Sequence, residues 1–289
     1  MQWTFYIFGS GLAFFIGVGM ILAGLAASFG GGRIWPRVSP VLIVVGTIVA
    51  VYSGTPLPIW FFAIAILLTI AALILPRIGP SVSQKAKHGL RVLVALAWLG
   101  GVAVELPYHF PPNVPPVDTR QLYLFGDSLA AGLKDDRTNN WPELLARAHD
   151  LNLVNYARAG ATVASAVERA RDASLGDGVV LLEIGGNDML GTTSAQDFKA
   201  NLRQLLELVC GPARQVVMFE LPLLPLKNEF GRAQRELASE FQVLLIPKRF
   251  LIGIITGDGA TVDSIHLSAK GHQQMTEPVW RVLAPAYAR

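Results

Sequence analysis

The sequence has 289 residues, of which 52% are hydrophobic and 16% are charged, and its formal net charge is +3. A soluble domain usually carries about 25% charged residues, so part of this chain is apolar enough to lie in a membrane. The single cysteine excludes an internal disulfide and a cysteine-based metal cluster. No basic stripe with interleaved aromatic residues is present, and we therefore expect no nucleic-acid partner.

The charged residues are distributed unevenly along the chain. Residues 1–32 and residues 38–76 contain no Asp, Glu, Lys or Arg, whereas the chain beyond about residue 118 has the composition of a soluble domain. We therefore divide the chain into a transmembrane helical region (residues 1–106), a proline-rich linker (107–118) and a soluble domain (119–289). The prolines predict that the linker is a short, semi-extended spacer.

Four apolar segments predict transmembrane helices, since a helix needs roughly 20 apolar residues to cross the hydrocarbon layer. They are Phe5–Phe29, Val38–Tyr52, Leu57–Leu75 and Leu90–Val104. Three spans are the alternative if the short fourth segment lies along the membrane interface. A cleaved signal peptide is the alternative for the first segment, but its long apolar run and its uncharged start favour a retained anchor.

The basic residues between these segments predict the orientation of the chain in the membrane. They occur in the first connecting loop and in the third, and the second loop has none: Arg33 and Arg37, then Arg77, Lys85, Lys87 and Arg91. Because cytoplasmic loops carry the excess of Lys and Arg, we expect the first and third loops in the cytoplasm. The soluble domain would then be extracytoplasmic, close to the outer face of the plasma or inner membrane, and the protein would be multi-pass.

Beyond the linker, short apolar runs alternate with segments of helical periodicity. The runs predict strands at Gln121–Phe125, Leu153–Tyr156, Val179–Ile184, Val216–Phe219 and Val243–Ile246. The other segments predict helices at Trp141–His149, Thr162–Arg171, Ala195–Val209, Glu229–Glu240 and Ser268–Ala284. The alternation predicts an α/β fold with a parallel sheet that helices cover on both faces. In such sheets, ligands bind beyond the carboxyl ends of the strands.

Residues suited to nucleophilic acyl chemistry lie at those strand ends and before the last helix. They are Gly126-Asp127-Ser128-Leu129, then Gly160, then Gly185-Gly186-Asn187-Asp188, and finally Asp263-Ser264-Ile265-His266. A serine hydroxyl is inert until an imidazole takes its proton, and a carboxylate orients that imidazole. Each block alone is typical of a helix cap or a turn. Their occurrence together favours a hydrolase site.

In this order the four blocks resemble those of the SGNH (GDSL) hydrolase family. Trp141-Pro142-Glu143-Leu144-Leu145 and Gly271-His272 also resemble family members, and the resemblance extends over about residues 120–289. It implies a three-layer α/β/α, flavodoxin-like domain, which in this chain follows a bundle of about four transmembrane helices.

The resemblance also implies a role for each matching residue. Ser128 would be the nucleophile, His266 the general base and Asp263 the carboxylate that orients it. The oxyanion hole would consist of the backbone N–H groups of Ser128 and Gly160 and the side-chain amide of Asn187.

No metal or cofactor is expected. His88, His109 and His149 lack metal-ligand spacing, and the sequence contains neither a Walker loop nor a dinucleotide fingerprint after a strand. We expect Asp188 to be structural and to stabilise the loop that carries Asn187. His272 follows His266 by six residues on the last helix, and we expect it on the surface.

These observations favour a membrane-anchored serine esterase or lipase that cleaves acyl esters on the outer face. The short linker favours a lipid substrate, such as a lysophospholipid, which would make the bilayer itself a partner. The alternatives are O-deacetylation of an envelope glycan, transfer of the acyl group to an acceptor hydroxyl, and a catalytically idle binding module. The complete set of Ser128, Asn187, Asp263 and His266 counts against the idle module. The oligomeric state is not predicted.

Overall fold

The computed structural model describes residues 2–30, 34–78, 82–132, 139–263 and 266–288. The chain forms two compact units. One, which we call the helical unit, contains Ile7–Pro107 and Leu223–Asn228. The other, the α/β unit, contains Met1–Tyr6, Tyr108–Pro222 and Glu229–Arg289. The domain limits that composition indicates at residues 106 and 118 stay predictions.

Apolar helices make up the first part of the chain. They are α1 (Gln2–Gly9), α2 (Leu12–Ala27), α3 (Trp35–Val51), α4 (Ile59–Ile78) and α5 (Gln84–Glu105), and a 3₁₀ turn (Leu106–His109) follows α5. The chain bends by 83° between α1 and α2, so the predicted Phe5–Phe29 helix is wrong as one straight element. Gly11 lies at the bend with a φ of 82°, a left-handed conformation that glycine adopts without steric cost.

The helical unit has a packed apolar interior and an apolar exterior. Trp98 is central in the interior: its ring lies 6.3 Å from Phe14 and 6.1 Å from Phe61, and its Nε1 donates to Thr69 Oγ1 at 3.1 Å. On the outside, Ile59 and Leu67 are 70% and 65% exposed. Helices that are apolar on all sides are typical of segments that lie in a membrane or in a large protein core.

Among the described residues, one helix is long and apolar enough to cross a membrane, namely Gln84–His109 with 26 residues. The bent pair α1–α2 would be a second if it formed a single span, and Trp35–Val51 and Ile59–Leu75 are apolar but shorter. Length and composition therefore give only weak support to the predicted bundle of four transmembrane helices. Arg33, a basic residue of the predicted first loop, lies outside the described part of the chain.

A five-stranded parallel sheet forms the centre of the α/β unit. Its strands are β1 (Gln121–Gly126), β2 (Asn152–Asn155), β3 (Gly178–Glu183), β4 (Arg214–Phe219) and β5 (Leu244–Ile246). The strand order is β2-β1-β3-β4-β5, and each neighbouring pair is parallel. This is the flavodoxin-like order, and it confirms the predicted parallel α/β fold.

Helices connect the strands and extend the chain after β5. They are α6 (Ser128–Ala131), α7 (Trp141–His149), α8 (Val163–Arg171), α9 (Gly186–Leu190), α10 (Ala195–Val209), α11 (Asn228–Phe241), α12 (Lys248–Ile255) and α13 (Ala269–Tyr287). The short helices α6 and α9, and the apolar α12, were not predicted as elements from the sequence.

Both faces of the central strands β1 and β3 are buried. Leu122 and Leu124 of β1 belong to a core cluster with residues of α7, α12 and α13, such as Trp141, Leu251 and Met275. Successive strand residues point to opposite faces, so the buried Tyr123 and Phe125 lie on the other face. There α8 packs against α10, and Phe198 of α10 contacts Phe230 of α11.

The last helix is longer than its sequence predicts, because α13 continues through Pro278 and Pro285 to Tyr287. A proline inside a helix removes one backbone hydrogen bond. Residues on both sides of Pro285 are buried in the core, and the Tyr287 hydroxyl donates to the Gln121 carbonyl at 3.0 Å. Packing and this hydrogen bond hold the helical path that the proline alone would disfavour.

Candidate active site

The predicted nucleophile, Ser128, is the first residue of α6 and is buried at the carboxyl end of β1. Asp127 caps this helix, since its Oδ1 accepts from the Leu129 N–H at 3.0 Å. A Cβ at Gly126 would lie 2.8 Å from the Ala130 Cβ, so the tight turn from strand to helix requires glycine there. Asp127 is therefore a helix cap, as its sequence context alone suggested, and this cap places Ser128 at the start of α6.

The segment after β2 forms the turn that contains Gly160. The Arg158 N–H donates to the Gly126 carbonyl at 3.1 Å, which ties this segment to the residue two positions before Ser128. Gly160 has a φ of 74°, and a Cβ built there would have no heavy atom within 4 Å. The backbone of Gly160 therefore borders open space into which another molecule can approach.

The third block joins the second through Asn187. The side-chain Nδ2 of Asn187 donates to the Ala161 carbonyl at 2.9 Å. The next residue, Asp188, is fully buried, and its Oδ2 accepts from the Val163 N–H at 2.9 Å at the start of α8. Asp188 thus holds α8 against the loop of Asn187, which is the structural role that the sequence suggested for it.

Asp263 and His266 form a local pair before α13. The ring Nδ1 of His266 lies 2.7 Å from Asp263 Oδ2, and the His266 N–H donates to Asp263 Oδ1 at 2.9 Å. The Val262 N–H donates to the His266 carbonyl at 2.9 Å, which closes the turn; Ser264 and Ile265 within it lie outside the described residues. With Nδ1 facing the carboxylate, Nε2 is the ring atom that remains for proton transfer.

Two buried carboxyl groups lie next to Ser128. Burial raises the pKa of Asp127 to about 6; the Leu129 N–H and the charge of His266 act in the opposite direction. Burial also raises the pKa of Glu183 well above its usual value, and the neighbouring Asp127 adds to this effect. The influence of His266 on the pKa of Asp127 links the fourth block electrostatically to the first.

Sequence reasoning missed Glu183 and misplaced His272. An acidic residue inside the apolar run Val179–Ile184 was the available signal for Glu183, whose Oε2 has no hydrogen-bond partner among the described residues. His272 is buried rather than on the surface, and its Nδ1 accepts from the Trp141 N–H at 3.3 Å. Burial lowers the pKa of His272, so the neutral ring joins α13 to the start of α7.

Comparison with known proteins identifies the family. The sequence profile of the GDSL-like Lipase/Acylhydrolase family matches residues 124–274, which is more than half of the chain. The chain belongs to this family. Esterase TesA of Pseudomonas aeruginosa is 27% identical over 177 residues, which are 57% of this chain and 88% of that protein. An arylesterase of Vibrio mimicus is 29% identical over 151 residues, 48% of this chain and 74% of that protein.

Solved structures agree with the fold of this GDSL-like protein. A crystal structure of TesA superposes with a TM-score of 0.50 at 25% identity and covers 57% of this chain and 99% of that one. The esterase EstA from Pseudoalteromonas sp. gives a TM-score of 0.51 at 19% identity, over 59% of this chain and 100% of that one, which shows the fold alone. The predicted family is confirmed, and the protein is a serine ester hydrolase. Residues 1–123 lie outside the region that matches the family.

The raised pKa of Asp127 predicts a pH-dependent effect of Asp127→Asn on stability. A carboxyl whose pKa is about 6 when folded and 3.8 when unfolded binds protons more tightly in the folded state. The contribution of this carboxyl to the free energy of unfolding therefore falls by roughly 3 kcal/mol as the pH rises from about 4 to about 6. Asparagine keeps the acceptor for the Leu129 N–H and does not titrate. Asp127→Asn should raise the melting temperature at pH 7 and change it little at pH 4.

Thermal unfolding of the purified protein at both pH values measures this difference. Asp177→Asn, at an exposed carboxylate of the same unit, is the matched control and should show no such contrast. An equal shift in Asp127→Asn at pH 4 and pH 7 would contradict a titrating, buried Asp127.

Proposed function

We propose that this hydrolase cleaves carboxylic esters with Ser128 as nucleophile, His266 as general base and Asp263 as its orienting carboxylate. The observation that supports this most directly is the contact of His266 Nδ1 with Asp263 Oδ2 at 2.7 Å. In the same unit, Ser128 is the first residue of α6. The contact between His266 and Asp263 fixes the tautomer that a serine hydrolase needs.

The reaction would proceed through an acyl-serine. Ser128 Oγ attacks the carbonyl carbon while His266 Nε2 takes the hydroxyl proton, and Asp263 stabilises the resulting imidazolium. Collapse of the tetrahedral intermediate breaks the bond to the alcohol, which leaves with the proton from His266. A water molecule then gives a proton to His266 and attacks the acyl carbon. The second collapse releases the carboxylic acid and returns the proton to Ser128 Oγ.

The oxyanion of both intermediates would be held by the N–H groups of Ser128 and Gly160 and by Asn187. The Asn187 amide has two N–H bonds, and the Ala161 carbonyl accepts one of them at 2.9 Å. That hydrogen bond orients the group, so the second N–H is available to the substrate oxygen. A preorganised donor of this kind contributes about 2.7–4 kcal/mol to transition-state stabilisation.

Exposed apolar side chains beside these residues support an acyl chain as part of the substrate. Leu190, at the end of the helix that carries Asn187, is 53% exposed, and Val262, directly before Asp263, is 62% exposed. An acyl chain that contacted these side chains would remove apolar surface from water. We propose a lipid acyl ester, such as a lysophospholipid, as the substrate.

The helical unit would anchor the enzyme in the membrane as a multi-pass protein. Its outward-facing residues are apolar, with Ile59, Leu67 and Leu96 all at least 60% exposed. Exposure of this apolar surface to water would be unfavourable, whereas contact with lipid chains would not. The basic residues in the first turn of α3, Arg37, and in the first two turns of α5, Lys85 to Arg91, would face the cytoplasm, and the catalytic unit would be extracytoplasmic.

Activity should increase with acyl-chain length and depend on Ser128. We expect the detergent-solubilised protein to hydrolyse p-nitrophenyl palmitate and lysophospholipid with higher kcat/KM than p-nitrophenyl acetate, because longer chains bury more apolar area. Ser128→Ala provides the background rate and should lower turnover by several orders of magnitude without loss of folding. Activity confined to acetate would contradict the lipid substrate and favour glycan deacetylation.

The orientation is tested by a reporter at the C-terminus. Alkaline phosphatase, which matures only outside the cytoplasm, should be active when fused after Arg289, and a cytoplasmic reporter such as green fluorescent protein should not fluoresce there. A fusion after Ser83, directly before α5, is the matched control and should give the reverse pattern. A C-terminal reporter that is active only in the cytoplasm would overturn the orientation.

A further inference from the structure

A polar cavity of about 340 Å³ lies beside the turn of Gly160. One wall is the chain that leaves β2 and leads into this turn, and the other is the end of α8. The lining residues are Asn155, Tyr156, Ala157, Arg158, Arg169 and Asp172. None of them has a role in the proposed acyl transfer, so the cavity is a separate feature next to the oxyanion turn.

Arg169 directs its guanidinium group back along α8. Its Nη1 donates to Ser165 Oγ at 3.3 Å, and Ser165 belongs to the first turn of this helix. Side chains on a helix lean towards its N-terminus, which here is the end next to Gly160. The Nε and Nη2 atoms of Arg169 are buried and have no hydrogen-bond partner among the described residues. A buried donor without a partner destabilises the fold, so these two atoms favour an acceptor that enters the cavity.

Arg158 lines the same cavity from the opposite wall. No hydrogen bond or ion pair links its guanidinium group to any described residue, and the exposed position leaves it accessible. Burial lowers the pKa of Arg169, and the positive charge of Arg158 lowers it further. The remaining charged residue of the lining is Asp172, and it forms no ion pair with either arginine in the described part of the chain.

We propose that Arg158 and Arg169 form a subsite for a phosphate group carried by the ester substrate. A guanidinium group offers a planar fork of donors that matches phosphate oxygens, and two such groups with one carboxylate leave a net positive charge. An anion would remove the repulsion between the arginines and satisfy the buried donors of Arg169. The chain from Arg158 to Gly160 spans at most about 7 Å, so one small substrate can reach both the subsite and the oxyanion turn.

This subsite rests on the proposed function and makes its substrate class more specific. The substrate would be an acyl ester whose alcohol part bears a phosphate, as in 1-acylglycerol 3-phosphate. In that arrangement the phosphate binds between the arginines while the acyl chain extends towards the apolar surface near Val262. The leaving alcohol, and not the acyl group, would carry the charge.

A pair of esters that differ only in the phosphate tests the proposal. We expect the wild-type protein to hydrolyse 1-oleoylglycerol 3-phosphate with higher kcat/KM than 1-oleoylglycerol. Arg169→Gln and Arg158→Gln should each lower kcat/KM for the phosphate ester by about 10- to 100-fold, mainly through KM, because one charge-assisted contact is lost. Both variants should hydrolyse the neutral ester within about twofold of wild type, which also shows that they are folded.

Arg171→Gln is the matched control on the same helix. Arg171 is 55% exposed and pairs with Glu168 at 3.1 Å, outside the cavity lining, so this variant should treat both esters as the wild type does. The subsite is overturned if the wild type shows no preference for the phosphate ester, or if Arg171→Gln lowers that preference as much as Arg169→Gln.

Failure of the proposed function gives a different result, since neither ester would then be hydrolysed in a Ser128-dependent manner. Titration calorimetry with glycerol 3-phosphate decides the subsite in that case. Binding to wild type that is lost in Arg169→Gln would support it, and the absence of binding to wild type would overturn it.

Discussion

The parallel pairing of β1 with β3 is the constraint on which the candidate site depends. Its register aligns Gly126 with Glu183, so that the residues directly after both strands emerge at the same edge of the sheet. Ser128 follows one strand and Asn187 the other. A shift of one residue in this register would move both segments to different depths and turn the apolar strand side chains to the wrong face. The apolar residues of the sheet therefore position the polar ones.

Hydrogen bonds connect the loops that follow β1, β2 and β3 at that edge of the sheet. The Arg158 N–H bonds to Gly126, Asn187 bonds to Ala161, and Asp188 bonds to Val163. Beneath them lie the buried carboxyl groups of Asp127 and Glu183, whose raised pKa values reflect the cost of placing charge in a low-dielectric interior. Perturbed carboxyl groups of this kind concentrate at functional sites, where geometry is maintained at the expense of stability.

Patterns that depend on neighbouring residues were visible in the sequence. Apolar runs located all five strands within a few residues. The central strands β1 and β3 are buried on both faces, and such strands are apolar almost throughout. The order of the four blocks indicated the family, since each block lies at a strand end or before the last helix. Asp263 and His266 are three residues apart, and their contact at 2.7 Å is a local one.

Features that depend on tertiary packing were not visible. The course of α13 through Pro285 follows from its contacts with the core, which override the local preference of proline. His272 is buried because α7 covers it, and helical periodicity alone does not show which face a neighbouring helix covers. Arg158 and Arg169 are eleven residues apart and line the same cavity, a relation that the spacing of two arginines in the sequence does not reveal. The 83° bend after α1 divides an apolar run that hydropathy shows as continuous.

The proposed mechanism depends on Ser128 as the nucleophile and on His266 as the base that activates it. A fluorophosphonate probe that reacts with activated serines tests it most directly, with the adduct located by peptide mass spectrometry after labelling of the full-length protein. We expect one labelled peptide, with the adduct on Ser128, and labelling that is slowed by several orders of magnitude in His266→Ala. An adduct on a different serine, or equally fast labelling of Ser128 in His266→Ala, would contradict it.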